Sequence, residues 1–243
     1  ALLLAAGCSG PGKQAGAAST GELLVYPRVL FLTTGSDGMG QLPSGANTCL
    51  ETFNGLGAFA EVADKSVLLE RARLDSVRII VAPTIAGYHD GDRLFSLSFL
   101  DSAGMANLAD WVRSGGILVA GENIGRNTIE GEDRVTSGGI IDAGEWPLAR
   151  VFGYSLEETN LAGYRMVRDS GAGLLAGYRD ELSGVLGEAW LLVPVESTVA
   201  ASVQVLSRWT DGRSSHAAVT LNRGGRGYGI MVPFFLLLQP AVD

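Results

Sequence analysis

The sequence predicts an α/β fold, a doubly wound and mostly parallel sheet with a C-terminal antiparallel hairpin extension. Three observations carry that expectation. Apolar runs of strand length alternate with helix-period stripes through the first half, the pattern of parallel strands joined by right-handed crossovers with helices on both faces. A helical stripe over 102–114 stops at Gly115-Gly116 and passes at once into the apolar run Ile117-Leu118-Val119-Ala120. In the second half, strand-length runs are separated by Asp211-Gly212 and Gly224-Gly225, both hairpin-turn pairs.

The elements follow in order. Residues 28–34 form a continuous apolar run that ends in the loop Gly35-Ser36-Asp37-Gly38, the signature of a buried parallel strand. Over 47–59, Leu50, Phe53, Leu56 and Phe59 recur every three residues as a helical stripe. A short strand is expected over 60–62 and a second helical piece over 67–72. Residues 77–83 read as a central strand stopped by Pro83. The helix over 102–114 places Met105, Leu108, Ala109 and Val112 on one face. Residues 124–143 carry glycine and charge without periodicity and read as a long loop, followed by a short helix over 145–152. Strands are expected over 191–195, 203–209, 217–221 and 228–232.

Composition narrows the function classes. A chain of 243 residues, 47% hydrophobic and 18% charged, can hold one large α/β domain, or one domain with an appendage, with an ample core. The net charge of -8, with no run of Lys or Arg, argues against nucleic acid, whose phosphates it would repel. Cys8 and Cys49 show no metal-ligand spacing, and no metal site or cofactor is expected. The apolar run 230–238 is far too short to span a bilayer and contains Pro233.

The N-terminus reads as an address. An apolar stretch followed by small residues, Ala1-Leu2-Leu3-Leu4-Ala5-Ala6-Gly7-Cys8, has the form of a signal peptide's tail, and the chain is expected to begin inside that signal. Ala5-Ala6-Gly7-Cys8 resembles a bacterial lipobox, with Ala5 where leucine is usual. The resemblance implies that Cys8 is acylated and anchors the protein to a membrane of the bacterial cell envelope, on the periplasmic or outer-surface side. Ser9 after the cysteine resembles lipoproteins sent onward to an outer membrane. Residues 1–8 are thus a signal remnant, 9–24 a flexible Gly/Ala/Ser tether, and 25–243 the α/β domain, its hairpin region at about 199–236.

Three segments carry a family resemblance. They are the strand Arg78-Ile79-Ile80-Val81-Ala82-Pro83, the helix–Gly-Gly–strand unit from Leu108 to Val119, and a closing hairpin from Leu206 to Met231 with Asp211-Gly212 and Gly227-Tyr228-Gly229. Together they resemble the class I glutamine amidotransferase-like superfamily, including trehalose-utilisation-type domains and the middle domain of some β-galactosidases. The resemblance implies a flavodoxin-like sheet. It also implies, for the active enzymes, a cysteine in a tight turn after the strand, with a histidine and a carboxylate behind it. Here that strand end reads Gly121-Glu122-Asn123, Cys49 has no glycine-flanked elbow, and His216 falls in the hairpin region. No triad carries over.

Ligands of open α/β sheets bind outside the carboxyl ends of the strands. Three such ends offer Ser36 and Asp37, then Tyr88, His89, Asp90 and Asp92, then Glu122, Asn123 and Arg126. A histidine among acids could hold a divalent metal or a sugar hydroxyl, and Glu122 with Asp37 could do acid/base hydrolysis. Against this, Asp, Asn and Gly populate ordinary turns, and Glu122 could equally cap a turn or pair with Arg126. Trp111, Trp146, Trp190 and Trp209 could stack on sugars, although Trp111 and Trp209 fit core packing better. The expectation is a lipid-anchored envelope protein whose domain is not catalytic and acts in binding or assembly, with a protein or glycan partner at the strand-end crevice and the 124–143 loop. The alternative is a carbohydrate-active hydrolase or accessory domain using Glu122 and a loop aspartate.

Overall fold

The structure, a computed structural model, describes residues 28–33, 50–51, 54–55, 57–83, 88–90, 93–95, 99–122, 124–129, 146–169, 173–175, 179–187 and 190–233. The expected signal remnant and tether lie outside the described residues. In chain order the strands begin with β1 (Arg28–Thr33), β2 (Phe59–Asp64), β3 (Ile79–Ala82), β4 (Tyr88–Asp90), β5 (Arg93–Phe95) and β6 (Phe99–Asp101). Next come β7 (Ile117–Ala120), β8 (Asn127–Ile129), β9 (Leu156–Asn160), β10 (Arg165–Arg168) and β11 (Trp190–Pro194). The last are β12 (Val203–Val205), β13 (Ser207–Thr210), β14 (Ser215–Ala217), β15 (Thr220–Gly224) and β16 (Gly227–Met231). The described helices with full bounds are α1 (Arg71–Asp75), α2 (Ser102–Arg113) and α3 (Ala149–Phe152).

The central sheet has seven strands in the order β12-β15-β16-β7-β3-β1-β2. Its five parallel strands run β2-β1-β3-β7-β16, and β15 and β12 close the other side in antiparallel pairing. Counted among themselves, the parallel strands have the 2-1-3-4-5 order of flavodoxin-like sheets. The α/β class, the mostly parallel sheet and the antiparallel C-terminal extension all stand as the sequence predicts.

The pleat sorts the core into two layers, because alternate strand residues face opposite sides. Leu30, Leu32, Ile80, Ala82, Leu118, Ala120 and Met231 face one side, where α2 and α3 bring Met105, Leu108, Val112, Val151 and Phe152. Val29, Phe31, Ile79, Val81, Val119 and Ile230 face the other and pack on Leu161, Met166, Val193, Leu206 and Trp209. Leu50, in a partly described helical turn, joins this second layer. Most of the second face is therefore covered, among the described residues, by antiparallel strands and not by helices as the alternation suggested. The reason lies in the second half of the chain, whose described residues supply one-turn helices and many short strands.

The glycine motifs of the sequence are packing requirements. A β-carbon at Gly116 would lie 2.4 Å from the Trp111 ring, and one at Gly227 would lie 2.1 Å from the Gly116 carbonyl oxygen and 2.2 Å from that of Val112. At Gly229 it would meet the Val151 carbonyl oxygen at 2.6 Å. The end of α2 and the whole of α3 thus sit directly on β16, at a distance no side chain allows. Helix α2 starts where Asp101 accepts from the N–H groups of Ala103 and Gly104, a capping arrangement. Its Met105, Leu108, Trp111 and Val112 are buried, each contributing about 1.5–3 kcal/mol relative to exposure.

Several boundaries differ from expectation. The stripe over 47–59 ends early, because Gly57 turns the chain and Phe59 already belongs to β2. Residues 65–69 form a 3-10 turn before α1, where one helical piece over 67–72 was expected. Part of the expected 124–143 loop is ordered, since β8 pairs in parallel with β6. The expected strand over 203–209 is two strands in two sheets. At Leu206 the chain leaves β15 and crosses to β10 and β14, with the N–H groups of Leu206 and Ser207 both donating to the Val219 carbonyl. A corner of this kind switches a chain between packed sheets. The single closing hairpin is accordingly two, β13–β14 and β15–β16.

Candidate functional site

The carboxyl end of β7 is enclosed by its neighbours on both sides. The strand's last residue, Ala120, pairs with Ala82 on one side and Met231 on the other, and Met231 pairs in turn with Thr220. The Gly121 N–H donates to the Ala82 carbonyl, and the Ile124 N–H returns to the Gly121 carbonyl, so Glu122 sits in a tight turn. That turn is clamped from above. Trp146 donates its indole N–H to the Ile124 carbonyl at 2.9 Å, and Gly125 takes a positive φ of 56° where a β-carbon would meet the Met105 sulfur.

Aromatic rings extend the clamp toward the antiparallel side of the sheet. Trp146 stacks on Phe152 with centroids 5.2 Å apart, and Phe152 is followed by Tyr154 at 6.4 Å. The Tyr154 hydroxyl and the Thr220 hydroxyl share a hydrogen bond of 2.7 Å, both buried. Burial pushes the Tyr154 phenol above its ordinary range; the Thr220 hydrogen bond opposes that, and the negative charge of Glu122 adds to it. Glu122 itself is only 4% exposed. The sequence placed it at the mouth of a crevice; the structure buries it in the turn that Trp146 clamps, close enough to Tyr154 for its charge to act on the phenol. This buried polar cluster can hold a neutral phenol as a hydrogen-bonding group, and its carboxylate is screened from solvent.

Tyr154 and Thr220 were not among the sequence candidates. Their signals are faint but real. Tyr154 follows Gly153, which ends α3 with a positive φ of 84°, and Thr220 is a hydroxyl in the otherwise apolar run 217–221. Of the other candidates, Arg126 lies half-buried at the end of the same turn. His89 and Asp90, with Tyr88, form the backbone of β4, which pairs with β5. Ser36, Asp37, Cys8, Cys49, Asp92 and Asn123 lie outside the described residues. His216 stands on β14 beside the Tyr164 ring, at 5.8 Å, in the antiparallel sheet that covers the second face. Among the described residues no three of His, Cys, Asp and Glu gather as metal ligands, and no helix is long and apolar enough to cross a membrane.

The tryptophans divide. Trp111, Trp146 and Trp209 are buried, and Trp111 donates its indole N–H to the Val77 carbonyl. Trp190 is 59% exposed on β11.

No family model matches the sequence, and no curated protein does either. Solved structures do resemble it. A cold-adapted β-galactosidase from Rahnella superposes with a TM-score of 0.53 at 20% identity, covering 88% of this chain and 31% of that one. A β-galactosidase from Bacillus circulans gives 0.52 at 17% identity, over 86% of this chain and 29% of that one. A ThuA-like protein from Bacteroides uniformis gives 0.50 at 12% identity, and there the overlap is 91% of this chain and 85% of the other. The chain therefore spans under a third of the β-galactosidases it resembles and nearly the full length of the ThuA-like protein. Its α/β fold is similar to that of the ThuA-like protein and of the matching part of the β-galactosidases.

Proposed function

We propose that this chain is a lipid-anchored protein of the bacterial cell envelope whose amidotransferase-like domain binds a protein or glycan partner and performs no amide transfer. The observation that carries the reading is the end of β7. In this fold the turn there holds the nucleophile of the active enzymes; here it holds Glu122, buried in a turn clamped by Trp146 and electrostatically coupled to Tyr154. A carboxylate is the wrong group for acyl transfer by the cysteine route, and this one is only 4% exposed. The lipobox-like Ala5-Ala6-Gly7-Cys8 supports the anchor.

The test has two arms. In cells, mass spectrometry of the mature N-terminus should find a diacylglyceryl group on Cys8, lost with Cys8→Ser. In solution, Glu122→Gln should leave partner or glycan capture intact, while neither protein releases product from a panel of chromogenic glycosides or amides. Turnover by the parent chain that Glu122→Gln abolishes would transfer the assignment to a carbohydrate-active hydrolase.

A further inference from the structure

The edge of the central sheet opposite Glu122 has an unusual charge for so acidic a chain. Arg28 opens β1, and its carbonyl accepts from the N–H of Arg78, just before β3. The Arg78 carbonyl accepts from Ile117 at the start of β7. Arg113 ends α2, and its carbonyl accepts from the N–H of Arg226 in the β15–β16 turn, while Arg223 stands at the end of β15. Neighbouring strands are about 4.8 Å apart, so these arginines form a row along the amino-terminal edge. Arg78 and Arg226 converge over Gly115, whose missing β-carbon would lie 3.2 Å from the Arg78 guanidinium and 3.9 Å from Arg226.

The row is not neutralised. Arg28 and Arg73 share Glu61, Arg71 pairs with Asp75, and Arg113 pairs with Asp110. Arg78, Arg223 and Arg226 are exposed and make no ion pair with any described residue. Seven arginines thus surround three acids, in a chain whose net charge is -8. Two exposed rings border the same edge. Phe59 opens β2 at 61% exposure, with the Arg28 guanidinium 5.9 Å from its centroid, and Tyr228 on β16 is 37% exposed. Arginine with exposed aromatic side chains suits the headgroup layer of an anionic bilayer, where charge and ring each find a match.

We propose that this amino-terminal edge is a membrane-contact surface for anionic phospholipid headgroups, which turns the carboxyl edge and Glu122 away from the bilayer. The occupant follows from the chain itself and rests on reading Cys8 as the anchor. Residues 9–27 separate Cys8 from Arg28, and a random coil of that length has an end-to-end distance of about 25 Å. An anchor at Cys8 therefore keeps this edge, where the chain enters the domain, within reach of the surface, where headgroup charge acts within about 8 Å.

The test uses the full chain carrying Cys8→Ser, so that no acyl group contributes. Its flotation with phosphatidylcholine vesicles is compared with flotation after adding about one-third phosphatidylglycerol, at low and high salt. The expected result is binding to the anionic vesicles only, weakened by salt. Combining Arg78→Ser, Arg223→Ser and Arg226→Ser should weaken it by about 100-fold, at about five-fold per arginine. The same charge removed from the antiparallel sheet, by Arg165→Ser, Arg179→Ser and Arg213→Ser, should change it little. Circular dichroism and melting of both triple variants establish that each is folded. Equal binding to neutral and anionic vesicles, equal loss in both triple variants, or no vesicle binding at all overturns the proposal. The last result would leave the edge to an acidic protein. Acylation of Cys8 in the parent chain is scored separately, so failure of the anchor and failure of the edge are distinct outcomes.

Discussion

Tyr154→Phe should destabilise the protein near neutral pH and stop doing so near pH 11. The phenol is buried and hydrogen-bonded to Thr220 at 2.7 Å. Its removal leaves the Thr220 hydroxyl without that partner, a cost of about 1–2 kcal/mol. The same phenol is a liability to the parent protein in alkali. Burial and the nearby Glu122 charge hold its folded-state pKa above the ordinary 10.0. Above that pH the unfolded chain sheds a proton that the folded chain keeps. The folded state then binds more protons, so stability is fully present below pH 10 and falls as pH rises. The slope approaches about 1.4 kcal/mol per unit, and one unit above the ordinary value the loss is about 1.4 kcal/mol. That equals the cost of the lost hydrogen bond, so the two proteins should reach the same stability close to pH 11. Urea unfolding followed by tryptophan fluorescence from pH 8 to pH 11 measures it, and the other tyrosines cancel in the difference. Thr220→Val is the partner experiment: it removes the same hydrogen bond but keeps the phenol, so the alkaline decline should persist. A stability difference between parent and Tyr154→Phe that stays flat through pH 11 would refute the buried cluster.

Three further outcomes follow from the same geometry. Gly227→Ala drives a β-carbon into two backbone carbonyls and should cost about 3 kcal/mol or more, lowering the melting temperature by about 6–12 °C, whereas Gly187→Ala, with no atom within 4 Å, should shift it little. Asp101→Ala removes the cap that receives the Ala103 N–H at 2.7 Å and should cost about 1 kcal/mol in urea unfolding. Asp211 is held below its ordinary pKa by the backbone N–H groups of Ser214 and Arg213, so the order of the β13–β14 turn is present above pH 3.8 and lost as pH falls through its lowered value. The amide proton shifts of Arg213 and Ser214 should report that titration together, and Asp211→Ala should abolish it.

How much of this was legible in the sequence depends on how each feature is encoded. The parallel strands were legible because β1, β3 and β7 are buried on both faces and read as unbroken apolar runs. The Gly-Gly and Gly-x-Gly motifs were legible as framework, although only the contacts of Gly116, Gly227 and Gly229 show that they are docking surfaces for α2 and α3. β9 and β10 were missed, because Leu156 and Met166 are the single fully buried residues in each and leave almost no alternation to read. The corner at Leu206 was missed because an apolar run looks the same whether or not it changes partners. At the site, sequence could nominate Glu122 but not its surroundings. Trp146, Tyr154 and Thr220 reach it from 24, 32 and 98 residues further along the chain, and only the strand order brings them together.

The buried carboxylate is the feature that most constrains what this domain can do. Taking a carboxyl group out of water is costly unless the surroundings compensate, so a strand end that keeps one is built around it. The building material here comes from the second half of the chain. Residues 146–154 cross the end of β7, and Thr220 closes it from β15, so the segments that complete the sheet also close the turn where enzymes of this fold expose a nucleophile. Opening that turn to substrate would require Trp146 to release the Ile124 carbonyl and Phe152 to lose its stacked partner. A binding role at the carboxyl edge does not need that movement. In the observed strand order the chain reverses direction between β1 and β3, and their carboxyl ends are where a ligand of this fold meets the sheet. On the proposed binding role Glu122 is a wall beside that position, and its substitution should change stability before it changes recognition.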